Sequence, residues 1–246
     1  MDPILYNAAS GGRTGFDRQG VVANNLANVN TTGFRADVYQ ASTLYATTED
    51  GSNTNGPAFA VQEPSGVDLS QGSIITTGRN LDVAMDSEGW LAVRDKQGKE
   101  AYTKAGNLHV DANGLLVTGA GNLVLGNGGP ISIPPAQSIG IGSDGTISIV
   151  PLGGKSSTMI DRLKLVKLNK TNITKNSEGL LQQKSGGIAP PDASLRVMSG
   201  ALEGSNVKAI DQMMQMITTG REYETHMQVM STVNSNSQTL AQLLHE

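Results

Sequence analysis

No proline follows Pro191, and the stretch beyond it repeats every seven residues. A seam reads Asn206, Ala209, Met213, Met216, Gly220, Tyr223, Met227, Met230, Asn234, Ser237, Ala241 and Leu244. Alternating steps of three and four place these side chains along one stripe of a helix. Flanking stripes of Val207, Ile210, Met214 and Ile217, then Val229, Val233, Leu240 and Leu243, widen it. Ser205 or Asn206 offers a side-chain oxygen to cap the first turn. At about 1.5 Å per residue such a helix reaches roughly 60 Å, longer than a compact domain of this size is wide. A helix that outruns its own domain needs a partner outside it.

A second helical pattern opens the chain, from about Pro3 to Val29. Proline is tolerated in a helix's first turn. One stripe reads Leu5, Ala9, Gly12, Phe16, Gln19, Ala23 and Leu26; the adjacent flank reads Ala8, Gly12, Gly15, Gln19, Val22, Leu26 and Val29. The stop is Asn28-Val29-Asn30-Thr31-Thr32-Gly33, with Gly33 suited to the left-handed conformation of a helix end. Gly12, Gly15 and Gly220 each cost about 1 kcal/mol relative to alanine within a helix. Asparagine, serine and glutamine on the seams weaken them further while fixing register. The methionine stripe is core by default, and its flexibility also suits contact with several non-identical neighbours. Both helices are expected to be weak alone and to order when several chains pack together.

Between them, from about Phe34 to Pro191, helical periodicity disappears. Short apolar or alternating runs cover Leu81–Met85, Trp90–Val93, Leu115–Val117, Ile131–Ile133, Ile147–Val150 and Leu163–Leu168. Turn chemistry separates them: Asp86-Ser87-Glu88-Gly89, Asp111-Ala112-Asn113-Gly114, Ser143-Asp144-Gly145 and Asn176-Ser177-Glu178-Gly179. This is the pattern of antiparallel hairpins. Thr47 to Gly56 is small and polar and reads as a loop or hairpin tip. The fold class is therefore α+β, an antiparallel β-rich centre flanked by heptad-patterned helices that form a coiled-coil-like layer on assembly.

The means for chemistry are thin. There is no cysteine, which removes disulfides, thiolate metal sites and cysteine nucleophiles. His109, His226 and His245 share no metal-ligand spacing. Asp111-Ala112-Asn113-Gly114 lacks the other oxygen ligands of a calcium loop. Gly126-Asn127-Gly128-Gly129 lacks the lysine and helix of a phosphate loop. No Gly-x-Ser-x-Gly elbow occurs, and no carboxylate pair stands out from the rest. The net charge of −4 comes with no basic run, so no nucleic-acid footprint is expected. No apolar run approaches the roughly 20 residues that span a bilayer. Met1-Asp2-Pro3-Ile4-Leu5-Tyr6 lacks a basic segment followed by an apolar one, so no cleaved secretion signal is expected. Neither catalysis, a metal, a cofactor nor a small-molecule substrate is expected.

Two motifs then carry a resemblance. Ala23-Asn24-Asn25-Leu26-Ala27-Asn28-Val29-Asn30-Thr31-Thr32-Gly33-Phe34-Arg35 resembles the N-terminal signature of the flagellar rod and hook family of axial proteins. Gly200-Ala201-Leu202-Glu203-Gly204-Ser205-Asn206-Val207, followed by Met216-Ile217 and Arg221-Glu222-Tyr223-Glu224, resembles its C-terminal one. Leu81-Asp82-Val83-Ala84-Met85, Gly89-Trp90-Leu91-Ala92-Val93 and Tyr102-Thr103-Lys104-Ala105-Gly106-Asn107-Leu108 resemble the family's shared β domain. Distal-rod members typically carry Gly-Phe-Phe where this chain has Gly89-Trp90-Leu91, so the resemblance points to a proximal-rod member, with a distal-rod member as the near alternative.

The resemblance implies a structural subunit that polymerises with its own copies and other rod proteins and transmits torque. It implies export by the flagellar type III apparatus without signal cleavage, and a place in the rod across the periplasm. Residues 1–34 and 199–246 would be the helices of an inner assembly domain, 35–70 an extended hairpin, and 71–198 a β-rich outer domain. The implied assembly interface draws on Leu5, Phe16, Met213, Met216, Tyr223, Met227 and Met230 along the helices. Asn25, Leu26 and Asn28 would set register, Gly33 would redirect the chain, and Phe34 would anchor the turn. Leu202, Gly204, Ser205 and Asn206 would start the last helix. Two other classes remain, a secreted β-rich carbohydrate-binding or hydrolase domain and a monomer that binds axial proteins without polymerising. Scarce, dispersed aromatics (4%) count against the carbohydrate reading. Limited proteolysis of the purified monomer should leave a core from roughly Arg35 to Met198 and cleave both ends; ends as resistant as the core would rule out ordering on assembly.

Overall fold

A computed structural model describes residues 3–47 and 53–243, with side-chain surroundings described for 5–39 and 66–239. Residues 48–52 of the expected Thr47–Gly56 loop, Leu244, and the side chains of Leu240, Ala241 and Leu243 lie outside those limits. The chain divides into two compact units: residues 1–27, 37–66 and 208–246 form one, and 28–36 with 67–207 form the other.

The first unit holds two helices and a ribbon. Helix α1 spans Pro3–Ala27, strands β1 (Asp37–Thr47) and β2 (Asn53–Val67) pair with each other, and α2 spans Ala209–Leu243. At 35 residues, α2 runs for about 52 Å. The helices lie antiparallel: Gly11 and Gly12 face His226, Gly15 faces Tyr223, and Arg18 pairs with Glu222 at 3.5 Å. Of the two stripes on α1, the covered one is Ala8, Gly12, Gly15, Gln19 and Val22; Leu5, Ala9, Phe16 and Ala23 are exposed. Small residues win because large ones come from the other helix. A Cβ at Gly11 would sit 2.5 Å from the His226 ring.

On α2 the residues turned from solvent are Ala209, Gln212, Met216, Thr219, Gly220, Tyr223, His226, Met230 and Val233. The stripe that α1 covers is not the whole seven-residue seam: Gln212, Thr219, His226 and Val233 lie against α1, beside Met213, Met227 and Asn234 of the seam, which stay exposed. One residue's displacement is a rotation of about 100°, and it leaves Met213 and Met227 exposed. Among the described residues no helix is long and apolar enough to cross a membrane.

The second unit is antiparallel β throughout. Its strands in order are β3 (Ile74–Thr76), β4 (Val83–Met85), β5 (Gly89–Arg94), β6 (Glu100–Thr103), β7 (Leu108–Val110), β8 (Leu116–Thr118), β9 (Leu123–Gly126) and β10 (Gly129–Pro130). They continue with β11 (Ala136–Ile141), β12 (Thr146–Pro151), β13 (Thr158–Arg162), β14 (Leu165–Lys167), β15 (Ile173–Lys175), β16 (Leu181–Gln183), β17 (Val197–Ser199) and β18 (Ala201–Glu203). The main sheet runs β15-β16-β6-β5-β9-β8-β7, with β14 on β5 and β10 on β9. β11-β12-β13, β17-β4 and β18-β3 form smaller sheets.

Strand β5 is buried on both faces. Leu91 and Val93 join a core with Val83, Leu108, Leu116, Val124, Ile147 and Leu165, while Trp90 and Ala92 join a smaller cluster with Tyr102, Val166 and Leu181. Each fully buried aliphatic contributes about 1.5–3 kcal/mol, so this strand is the stable centre of the unit. Ile131–Ile133, expected as a strand, makes a single bridge from Ser132 to Leu115. Pro130 and Pro134 bracket it and cannot donate to a ladder, yet Ile131 and Ile133 are buried.

One turn recurs. Asp95, Asp111 and Asn176 each accept the backbone N–H groups two and four residues ahead on one side-chain oxygen. Each has a glycine three residues on, at φ 81°, 79° and 79°, a conformation that side chains resist. Gly106 is constrained differently, by close packing. A Cβ there would lie 1.7 Å from the Val83 carbonyl oxygen. Gly106→Ala should therefore destabilise the β unit by at least about 3 kcal/mol, read as a lower denaturant midpoint.

Candidate functional site

The β unit takes in the segment after α1 and the segment before α2, and clasps them together. After Asn28 the chain turns twice, with Thr31 N–H donating to the Asn28 carbonyl (3.1 Å) and Phe34 N–H to the Thr31 carbonyl (3.2 Å). Gly33 sits at φ 69° and donates its N–H to the Glu203 carbonyl at 2.7 Å. A Cβ on it would meet the Lys104 backbone at 2.2 Å. Only glycine fits both demands.

The next turn of chain delivers Arg35 into the interior. Its guanidinium Nη2 pairs with Glu203 Oε1 at 2.5 Å, where the side chains are 2% and 0% exposed. The same oxygen accepts the Gly72 N–H at 2.9 Å. Glu203 Oε2 lies 3.7 Å from the Lys104 ammonium, which donates to the carbonyls of Asp86 (2.6 Å) and Ser87 (3.1 Å). The Trp90 ring lies beside both cations, 5.4 Å from Arg35 Cζ and 5.2 Å from Lys104 Nζ. Ring faces attract cations, and more strongly when water is excluded.

Two cations thus share one carboxylate. Burial pushes the Lys104 ammonium down from 10.5 to about 8; Glu203 pulls it back up, and Arg35 repels it. Asn206 closes the clasp. Its Oδ1 accepts the Ala36 N–H at 2.8 Å, and its Nδ2 donates to the carbonyls of Asp68 (2.9 Å) and Ser70 (3.2 Å). Lys175 caps the outer side, 3.9 Å above the Phe34 ring, and donates to the Arg35 carbonyl at 2.9 Å.

Leu202, Gly204, Ser205 and Asn206 therefore do not start the last helix. Leu202 lies in β18 opposite Ile75, the Gly204 N–H donates to Ser73, Ser205 Oγ accepts the Val207 N–H, and α2 opens at Ala209. Asn206 is spent on Ala36, Asp68 and Ser70 rather than on a cap.

In the helical unit, Asn25 is buried and grips the start of β1. Its Oδ1 accepts the Asp37 N–H at 2.8 Å, and its Nδ2 donates to the Asp37 carbonyl (2.9 Å) and Gln212 Oε1 (3.3 Å). Leu26 is half-buried, as are Met216, Tyr223 and Met230 on the covered face of α2; Asn28 is hydrogen-bonded within the β unit. Leu5, Phe16, Met213 and Met227 are exposed, and so are Tyr6, Ile210, Met214 and Ile217.

Arg35, Trp90, Lys104 and Glu203 lie inside motifs recognisable from the sequence but were not singled out there. Nothing in local spacing announces an ion pair between residues 168 positions apart. Among the described residues no cluster of histidine, aspartate and glutamate is placed to hold a metal ion. The arrangement fixes chain segments.

Comparison with known proteins follows the same three regions. Residues 5–35 match the family model described as flagella basal body rod protein. Residues 84–149 match the flagellar hook protein FlgE/F/G D1 domain, and 198–243 match the flagellar basal body rod FlgEFG protein C-terminal region. The flagellar basal-body rod proteins FlgF of Salmonella typhimurium and Escherichia coli are each 38% identical over 252 residues, covering 99% of both chains. FlgG of Bacillus subtilis is 33% identical over 97% of this chain and 98% of its own.

Glu203→Gln should cost the β unit about 3–5 kcal/mol, because two buried cations lose their anion. Lys104→Met should cost less, since Arg35 and Glu203 then balance. The folded Lys104 binds its proton more weakly than the unfolded one, so its penalty is fully present below pH 8 and is relieved as pH rises to 10.5. Wild-type stability relative to Lys104→Met should therefore rise by up to about 3 kcal/mol across that window. Parallel denaturation series of the two chains check this.

Proposed function

The chain belongs to the flagellar basal-body rod protein family and is a structural subunit of that rod; from this premise we propose that its place is the proximal rod, as an FlgF-type subunit. It catalyses nothing, needs no cofactor, and packs against its own copies and other rod proteins to transmit torque. It reaches the periplasm through the flagellar type III apparatus without signal cleavage. The terminal helices supply the coiled-coil-like layer, through Leu5, Phe16, Met213 and Met227 on their open faces. Met216, Tyr223 and Met230 hold the helix pair in the shape that presents those faces. Asn25, Leu26, Asn28, Gly33, Phe34, Leu202, Gly204, Ser205 and Asn206 act at the helix boundaries, by fixing the segments from which each helix departs.

The observation that carries this reading is the apolar surface left open on the helix pair. Phe16 is 65% exposed, Ile210 73% and Met214 64%. Covering such side chains recovers about 1.5–3 kcal/mol each, and an unpartnered apolar face of this kind marks an interaction surface. Likeness to FlgF over the whole chain, together with Trp90 at the Gly89-Trp90-Leu91 position, favours the proximal rod. The likeness to FlgG keeps the distal rod as the second reading.

Phe16→Glu and Met227→Glu should abolish rod assembly and swimming while leaving the thermal unfolding of the β unit unchanged. Normal swimming by both variants would refute the role of these faces. Expression in Salmonella lacking its own FlgF should restore motility, whereas expression in cells lacking FlgG should not. The opposite pattern would move the chain to the distal rod.

A further inference from the structure

Five of the nine methionines stand on one helix, at Met213, Met214, Met216, Met227 and Met230. Within α2 they divide into two sets. Met216 and Met230 lie half-buried on the side turned from solvent, while Met213, Met214 and Met227 are 52%, 64% and 43% exposed. At about 100° per residue, these three fall within roughly 140° of one face, together with Ile210 and Ile217. Met213 and Met227 are two heptads apart, roughly 21 Å along the axis. Thioether sulfur therefore supplies much of the apolar surface on the open side of this helix.

A thioether reacts with peroxides. The sulfur lone pair takes one peroxide oxygen, the O–O bond breaks, and the released hydroxide picks up a proton and leaves as water. Sulfur loses two electrons and the peroxide gains them. The product is a sulfoxide, polar where the thioether was apolar, and it disrupts contacts rich in methionine. The chain has no cysteine, so no thiol on it takes the oxidant first. Access to the sulfur then sets which methionines react. Met85 is 2% exposed in the β core, whereas Met159 and Met198 stand open on the β unit. The molecule thus carries its own buried and exposed standards, away from the helices.

We propose that Met213, Met214 and Met227 form a reversible oxidation site that decides whether a free subunit can join the rod. As thioethers they complete the apolar helix face. As sulfoxides they hold water on it, and the subunit is excluded. A methionine sulfoxide reductase reverses the step: two thiols become a disulfide, the oxygen leaves as water, and the thioether returns. The inference rests on the reading of these faces as assembly surfaces and adds a control to it. Packing covers the three sulfurs, so the site acts on free subunits and not on those already built in. Met216 and Met230 react later, because they are turned from solvent.

Limited hydrogen peroxide treatment of the full chain, read by peptide mass mapping, should oxidise Met213, Met214 and Met227 about tenfold or more faster than Met85 and ahead of Met216 and Met230. If those three react as slowly as Met85, the proposal is overturned. In cells whose rod this chain restores, Met213→Gln with Met214→Gln and Met227→Gln, which imitates the polar product, should abolish swimming. Glutamine and methionine have similar helix propensity, so circular dichroism of that variant should match the wild type. Met159→Gln with Met198→Gln should swim normally; its failure would leave the helix sulfurs no special role and overturn the proposal too. The corresponding triple leucine variant stays apolar and cannot form the sulfoxides. It should swim, and go on building rods at a peroxide dose that stops the wild-type chain. A triple glutamine variant that swims, or a triple leucine variant as peroxide-sensitive as the wild type, would sink the inference. Phe16→Glu separates the two readings. If it swims, the assembly faces themselves are misassigned; if it fails while the glutamine variant swims, only the oxidation site is lost.

Discussion

A buried glutamate between two buried cations sets the conditions for the rest of the β unit. Glu203 belongs to the last strand before α2, Arg35 to the segment after α1, and Lys104 to the turn that leaves β6. None could be interior alone, since an isolated charge in a dry site costs several kcal/mol. Together they tie three distant stretches of chain at one point. Trp90 lies beside both cations and brings β5, the most buried strand, into the same cluster. The unit is complete only when residues 28–36 and 201–207 are both in place. That secures the β-unit segments adjoining each helix.

The helical unit follows a different logic. Ala8, Gly12 and Gly15 make one side of α1 narrow enough for Tyr223 and His226 of α2 to pack against its backbone. That choice consumes the small-residue stripe and leaves the bulky one, with Leu5 and Phe16, facing outward. The same happens on α2, where Gln212 and Thr219 turn inward while Met213, Met214 and Ile217 stay in solvent. A helix pair built to be stable by itself would do the reverse. Gly12, Gly15, Gln212 and Thr219 share the inside with Met216, Tyr223 and Met230, while Phe16, Met213, Met214 and Ile217 leave apolar surface open.

Alternate turns of one antiparallel sheet fall at opposite ends, so side chains far apart in sequence meet at one end. Lys96 and Lys99 share a turn, but Lys184 joins them only because β16 pairs with β6. The absence of any basic run in the sequence was therefore true locally and incomplete in space.

By itself the sequence determined the kinds of elements and their order. Seven-residue spacing without proline demanded long helices at the ends, and Asp-x-x-Gly and Asn-x-x-Gly turns demanded hairpins between them. The boundary motifs were legible as well, because they are contiguous. Which stripe of each helix is covered was decided only by tertiary structure, since both stripes on α1 have the same period and α2 chooses between them by fit. The start of α2 was decided in the same way: Asn206 could have capped a helix but finds Ala36, Asp68 and Ser70 instead. The Arg35–Glu203–Lys104 cluster left no trace in spacing, because periodicity records which way a side chain points and not what it meets across the fold.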